Sequence, residues 1–210
     1  REDQADYWYV DGIRLFSFHT GSQSGRRFDD PENLSAAGLW DDVIEGSYIP
    51  SAFVKDSELD GVEASIIYPT ADLGLFIIPD SGLLSAMCTA YNDWLIEFCS
   101  AFPQQLLGQA MINVDDVPSA VEELRRCRQK GLVGAMISVY PAEDQAYDSP
   151  VYEPLWEAAV ELDMPLSFHI GTNRGVAGHP LPFIQVKLSQ DIAADYWVRV
   201  SIANMIFSGV

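Results

Sequence analysis

The stretches LVGAMISV (residues 132–139) and PLSFHI (residues 165–170), with a helical pattern over residues 150–162 between them, decide the fold. Both apolar runs are short and continuous, which is typical of strands whose two faces are covered by helices. A strand, a helix and a second strand in this order form a right-handed crossover unit, so the two strands run parallel. The sequence therefore predicts an α/β protein with a parallel sheet.

The same alternation extends along the chain in both directions. Further strands are predicted at residues 63–68 and 106–112, and further helices at residues 81–101, 117–130 and 190–207. Repeated strand–helix units are typical of a (β/α)8 TIM barrel or of an open, doubly wound sheet. A dinucleotide-binding open sheet would need a Gly-x-Gly-x-x-Gly motif after an early strand, and the chain has none. We therefore expect a partial barrel of about four strand–helix units.

The N-terminal part of the chain has a different pattern. Residues 7–10 (YWYV) and 13–16 (IRLF) flank Asp11-Gly12, a dipeptide that tolerates the positive φ angles of a two-residue hairpin turn. The polar stretch that follows indicates a loop excursion, and a short helix is expected over residues 51–59. We thus predict a hairpin and loop insertion at residues 1–48 and the partial barrel at residues 49–210.

Composition excludes several classes of partner. The chain carries 31 acidic and 12 basic residues, a net charge of −19 at pH 7, whereas binding to nucleic acid requires clustered cations. No apolar run approaches the ~20 residues that span a bilayer, and the N-terminus has no signal-peptide pattern. We therefore expect no nucleic-acid or membrane partner and a cytoplasmic location. The three cysteines, Cys88, Cys99 and Cys127, are expected to be reduced and buried.

In parallel α/β folds, catalytic side chains gather where the strands end. The predicted strand ends carry Tyr68, Thr70, Asn113, Asp115, Tyr140, His169 and Thr172. A neutral imidazole at position 169 could bind a divalent metal or a substrate carboxylate, but it could equally be a buried histidine bonded to a backbone carbonyl. Asp115 and Asp116 have a structural alternative as caps of the following helix. His19 and His179 are expected to be surface residues.

Several runs of sequence resemble one known family. These are VEASIIYPT (residues 62–70), AYNDWL (90–95), AVEEL (120–124), GLVGA (131–135), YEPLW (152–156) and PLSFHIGT (165–172). Together they resemble the amidohydrolase-related family, the branch of the amidohydrolase superfamily that contains aminocarboxymuconate-semialdehyde decarboxylase. The resemblance implies a metal-dependent (β/α)8 barrel, usually with zinc. The metal ligands of this family are a His-x-His pair on the first strand, a histidine on the fifth strand and an aspartate on the eighth. A further histidine, after the sixth strand, acts in catalysis.

Only His169 matches one of these family positions, the histidine of the fifth strand. The chain contains no His-x-His motif, starts at Arg1 rather than at a methionine, and stops at Val210 inside an apolar run. We therefore expect a fragment that covers strands two to five of the barrel. The catalytic residues stay unknown, because the expected acid–base histidine would lie beyond the C-terminus.

For the intact parent, the resemblance implies a metal-dependent hydrolase or decarboxylase that acts on a small carboxylated, cyclic or aromatic substrate. His169 is the predicted metal ligand, and Arg174 is a candidate cation for an anionic substrate. The predicted pocket residues are Tyr68, Thr70, Asn113, Tyr140, Thr172 and Arg174. The alternative is an inactive fragment or an interaction module, because a single ligand does not hold zinc tightly. Open strand edges would then favour a homo-oligomer.

Overall fold

The computed structural model describes residues 5–18, 37–141, 145–174 and 195–210. The chain forms two compact units, Arg1–Ala64 and Ser65–Val210. The division at residue 48 stays a prediction of the sequence. In the ranges that the structure describes, no helix combines the length and the apolar character needed to cross a membrane.

The first unit contains the predicted hairpin. Strand β1 (Tyr7–Val10) pairs antiparallel with β2 (Ile13–Ser17). Asp11 and Gly12 between them have φ angles of 48° and 74°, so both turn residues are left-handed, as the Asp-Gly dipeptide predicted. Helix α1 (Pro50–Leu59) begins at its proline, whose fixed φ suits the first helical position. Most of the predicted loop excursion lies outside the described residues.

The second unit is an α/β layer built on a parallel sheet, as predicted. Its strands are β3 (Ser65–Ile67), β4 (Leu106–Met111), β5 (Gly134–Ser138) and β6 (Leu166–His169), hydrogen-bonded in the order β3-β4-β5-β6. Its helices are α2 (Ser81–Ser100), α3 (Val117–Gln129), α4 (Glu153–Glu161) and α5 (Tyr196–Ser208). Residues 190–194, predicted as the start of the last helix, lie outside the described residues.

The sheet is buried at its centre and half-exposed at its edges. All five residues of β5 are buried, whereas all four residues of β6 are only half-buried. Close packing across the sheet requires Gly134, because a Cβ there would lie 2.9 Å from the carbonyl oxygen of Pro165 and would collide with the side chain of Gln109. Apolar burial in the centre therefore holds the strands in register.

Two local features differ from the sequence predictions. A 3₁₀ helix over Ala71–Ile77 follows β3 and buries Leu73, Leu75 and Phe76, and no periodicity in the sequence had indicated it. The helix predicted over residues 150–162 divides into a 3₁₀ turn, Pro150–Tyr152, and α4. All three cysteines are buried and free of disulfides, as expected.

Candidate functional site

His169 is the last residue of β6, at the end of the sheet where the strands finish. Its ring Nδ1 lies 2.7 Å from the carbonyl oxygen of Ile170. Because a carbonyl oxygen only accepts, this contact is a hydrogen bond in the tautomer that carries its proton on Nδ1, and in that neutral imidazole Nε2 has the lone pair. A neutral imidazole with one N–H donating to a backbone carbonyl is a common state of metal-binding histidines.

The turn after His169 is held by a buried threonine. The Oγ1 of Thr172 donates to the carbonyl oxygen of His169 at 2.7 Å and accepts the N–H of Val139, also at 2.7 Å. Gly171, between them, has a φ of 82°, which only glycine adopts without strain. The predicted pocket residue Thr172 is fully buried and joins the end of β6 to the end of β5.

Arg174 is buried against an aspartate that follows β4. Only 5% of its side chain is exposed. Its Nε lies 3.0 and 3.2 Å from the two carboxylate oxygens of Asp115, and Nη2 forms a further short contact with the same carboxylate. The remaining nitrogen, Nη1, donates to the backbone carbonyl oxygens of Phe76 and Ile78. The guanidinium predicted to meet a substrate anion is thus bound to protein groups, and a substrate carboxylate would have to compete with Asp115.

The alternative role of Asp115 and Asp116 as helix caps is met in position only, because Asp116 is the N-cap residue of α3 but makes no side-chain capping hydrogen bond. Asp115 is engaged by Arg174, and Asp116 accepts a hydrogen bond from the hydroxyl of Ser119 at 2.7 Å without capping the helix through its side chain. Arg174 binds the carboxylate of Asp115 through two N–H donors of its guanidinium. A single backbone amide at the start of the helix would offer only one donor.

Tyr68 follows β3 and points toward β6. Its hydroxyl donates to the Oγ of Ser167 at 3.1 Å, and Ser167 donates in turn to the carbonyl oxygen of Ala135 at 3.2 Å. Ser167 and His169 are two residues apart on one strand, so they share a face of the sheet, while Phe168 between them packs against Tyr147. The structure thereby brings the Tyr68 hydroxyl to the face that carries His169.

The remaining predicted pocket residues make other contacts. The amide nitrogen of Asn113 donates to the hydroxyls of Ser81 and Ser85, both at 3.0 Å, and so joins the end of β4 to the start of α2. The ring of Tyr140 packs against that of Trp197 in α5, with centroids 4.5 Å apart and ring planes inclined by 50°. Thr70 is exposed and precedes the 3₁₀ helix.

A buried polar network between α2 and α3 was not predicted. The Asn92 side chain bonds both the N–H and the carbonyl of Met111, at 2.7 and 3.0 Å, and donates to Glu123 at 2.7 Å. The guanidinium of Arg126 donates hydrogen bonds from Nε and Nη2 to the two oxygens of the same carboxylate. Burial raises the pKa of Glu123, but the hydrogen bonds from Arg126 and Asn92 outweigh it and leave the pKa below its ordinary value. The Tyr-Asn-Asp-Trp motif marked the family, but its spacing did not show the partners of the asparagine.

His169 is the only histidine among the residues that the structure describes. Among the described residues, no group of three or more His, Cys, Asp or Glu side chains could hold a metal ion. The predicted surface histidines His19 and His179 lie outside the described ranges.

Comparison with known families identifies the class of protein. A family described as Amidohydrolase matches residues 40–202, which is most of the chain. The chain therefore belongs to this family, which confirms the resemblance seen in the sequence.

Several of the relatives are named as decarboxylases, and another is a 2-keto-4-carboxy-3-hexenedioate hydratase from Sphingobium sp.. The chain is 31% identical over 122 residues to gamma-resorcylate decarboxylase of Rhizobium sp., a match that covers 55% of this chain and 37% of that protein. The crystal structure of 2,6-dihydroxybenzoate decarboxylase from Rhizobium superposes with a TM-score of 0.61 at 27% identity, over 77% of this chain and 51% of that one. The chain therefore spans about half the length of these relatives, or less.

A second solved structure shares the fold at lower identity. Dihydroxybenzoic acid decarboxylase from Polaromonas sp. JS666 superposes with a TM-score of 0.59 at 24% identity, over 75% of this chain and 49% of that one. That crystal contains manganese and the inhibitor 2-nitroresorcinol. These superpositions support the predicted partial barrel.

Proposed function

We propose that the intact protein is a metal-dependent decarboxylase that acts on a small aromatic carboxylic acid. The observation that carries the proposal is the state of His169: it ends a parallel strand, and its Nδ1–H is bound to the Ile170 carbonyl, so Nε2 is the nitrogen left for a metal. Membership in the amidohydrolase family and the decarboxylase relatives support the reaction class. The hydrolysis predicted as an equal possibility has less support.

His169 would hold the metal through Nε2. When bound, a divalent ion supplies Lewis acidity at the end of the sheet. The family resemblance implies zinc, whereas the Polaromonas relative contains manganese. An imidazole nitrogen ligates several first-row divalent metals, so metal analysis has to decide the identity.

Tyr68 is the residue that we propose contacts the substrate beside His169. Its hydroxyl donates to Ser167, so its oxygen lone pairs can accept a hydrogen bond from a phenolic substrate. Its side chain is accessible, with the residue 38% exposed. Thr70 is exposed after the same strand and stays a candidate. The proposed substrate set leaves out Asn113, Thr172 and Arg174, because protein groups bind their side chains. It also leaves out Tyr140, whose ring packs against Trp197.

The decisive experiment is His169→Gln in the intact protein, with His179→Gln as the matched control. We expect the first variant to lose metal content and decarboxylation of 2,6-dihydroxybenzoate together, while the control keeps both. Metal is measured by elemental analysis of the purified protein, and turnover by release of carbon dioxide. An unchanged metal content in His169→Gln would overturn the ligand assignment. Intact wild-type protein that purifies without metal and does not turn over would favour the interaction-module alternative.

A further inference from the structure

The loop that follows His169 is tied to the ends of all the other strands described in the sheet. We call residues 170–174 the β6 loop. Thr172 joins it to Val139 after β5, and the backbone N–H of Arg174 donates to the carbonyl oxygen of Tyr140 at 2.9 Å. The side chain of Arg174 then reaches Asp115 after β4.

The same guanidinium reaches the segment after β3. Its Nη1 donates to the carbonyl oxygen of Phe76 at 2.8 Å and to that of Ile78. Both carbonyls belong to the C-terminal end of the 3₁₀ helix, where backbone acceptors lack helical partners. One side chain therefore connects the β6 loop to two other strand ends, and its burial shields these bonds from water.

We propose that Arg174 is a positioning residue: through the β6 loop it keeps the Ile170 carbonyl against Nδ1 of His169, and so keeps Nε2 free for a ligand. The inference rests on the role proposed above for His169. The proton of a neutral imidazole resides on the nitrogen whose hydrogen-bond partner holds it. Here that partner is a carbonyl next to Gly171, whose backbone has many accessible conformations, so the loop must be fixed from outside.

Arginine suits this task better than lysine. Asp115 is met by Nε and Nη2 together, while Nη1 donates to two carbonyls. The planar guanidinium presents five donors in a fixed fork, whereas an ammonium group is a single point with three. A lysine at position 174 could meet the carboxylate, but it could not hold the segment after β3 at the same time.

The test is the tautomer of His169 in the metal-free chain. Long-range ¹H–¹⁵N correlation spectra of the three histidines are recorded in alkaline buffer, where imidazoles are neutral, and His169→Gln assigns the signal. We expect a single Nδ1-protonated pattern in the wild type. A second, Nε2-protonated pattern should appear in Arg174→Met. Arg125→Met, which breaks an exposed pair with Glu161, is the matched control and should keep the wild-type spectrum.

Two further variants keep the test decisive if Arg174→Met does not fold. Arg174→Lys retains the charge beside Asp115 but loses the fork, and Thr172→Val keeps the shape of the side chain but loses its two hydrogen bonds. Both should show the mixed pattern. A single Nδ1-protonated pattern in folded Arg174→Met or Arg174→Lys would overturn the proposal.

A failure of this test is distinguishable from a failure of the proposed function. The tautomer is measured without metal or substrate, so it can fail while His169→Gln still abolishes metal binding in the intact protein. Conversely, retained metal in His169→Gln would overturn the proposed ligand role of His169 and leave the tautomer measurement standing.

Discussion

The hydroxyl of Tyr68 donates a hydrogen bond to the hydroxyl of Ser167, 3.1 Å away, although β4 and β5 lie between their strands. Neighbouring strands are about 4.8 Å apart, so a flat sheet would keep β3 and β6 roughly 14 Å from each other. One tyrosine side chain does not span that distance together with a normal hydrogen bond. The sheet is therefore curled, and the face that carries His169 is its concave side.

Tyr68→Phe tests this contact. Removing the hydroxyl should lower the free energy of unfolding by about 0.5–1 kcal/mol, since the bond is partly exposed and net hydrogen-bond contributions are of this size. Urea denaturation measures the change. Tyr196→Phe, at a half-exposed position on α5, is the control and should have a smaller effect. Equal losses of stability in the two variants would show that the hydrogen bond between Tyr68 and Ser167 does not stabilise the curled sheet.

Arg174→Met should destabilise the chain strongly. The substitution leaves the Asp115 carboxylate without its buried partner, and breaking a buried ion pair on one side costs about 3–5 kcal/mol. Arg125→Met removes an exposed pair and should cost about 1 kcal/mol or less. The two values come from chemical denaturation under the same conditions. Equal losses of stability in the two variants would show that the buried pair stabilises the chain no more than the exposed pair does.

Asn92→Ala should also destabilise the chain, by about 2–5 kcal/mol, because the N–H and carbonyl of Met111 lose their buried partner. Asp93→Asn is the neighbouring control on the same helix. It weakens an exposed pair with Arg126, and we expect a change of about 0.5 kcal/mol. A small effect of Asn92→Ala in denaturation experiments would mean that water replaces the asparagine.

Glu123 should make stability depend on pH. Its pKa is lowered in the folded state, because the bonds from Arg126 and Asn92 outweigh the effect of burial. A carboxylate with a lowered folded pKa stabilises the protein above its unfolded pKa, about 4.3, and this contribution is lost as the pH falls through the folded value. Glu123→Gln should therefore be less stable than the wild type at neutral pH, and the difference should shrink in acid.

The control for this pH dependence is Glu161→Gln. Glu161 also has a lowered pKa, owing to its hydrogen bond from Arg125, but both groups are exposed. Urea denaturation across a pH series should show a smaller difference for this variant, since solvent screens the pair. A Glu123→Gln difference that stays constant between neutral and acidic pH would contradict the assigned ionisation.

The three thiols should be unreactive in the folded chain. Burial raises the pKa of Cys88 to about 12 and that of Cys99 to about 11, and it raises the pKa of Cys127 as well. The thiolate is the reactive species, so a disulfide reagent should titrate no thiol in native buffer and all of them in urea. Rapid reaction of any cysteine in native buffer would show that its helix opens readily.

Local sequence patterns predicted much of the fold. The type of each strand and helix in the second unit followed from short apolar runs and helical periodicity, and the observed ends differ from the predicted ones by a few residues. The 3₁₀ helix after β3 was missed, because its buried residues Leu73, Leu75 and Phe76 follow neither a helical nor a strand period. For the site, the sequence indicated His169 and the strand ends, but not the partners of their side chains.

What the sequence by itself determined is the class of fold and the position of one histidine at the end of a strand, because periodicity and strand–helix order are local properties. Only the tertiary structure decided that Arg174 is bound by Asp115 and that Tyr68 meets Ser167. These pairs are 59 and 99 residues apart in the chain, and curling of the sheet brings them together. Side chains at such separations meet through the packing of the whole layer, which no local pattern of residues encodes.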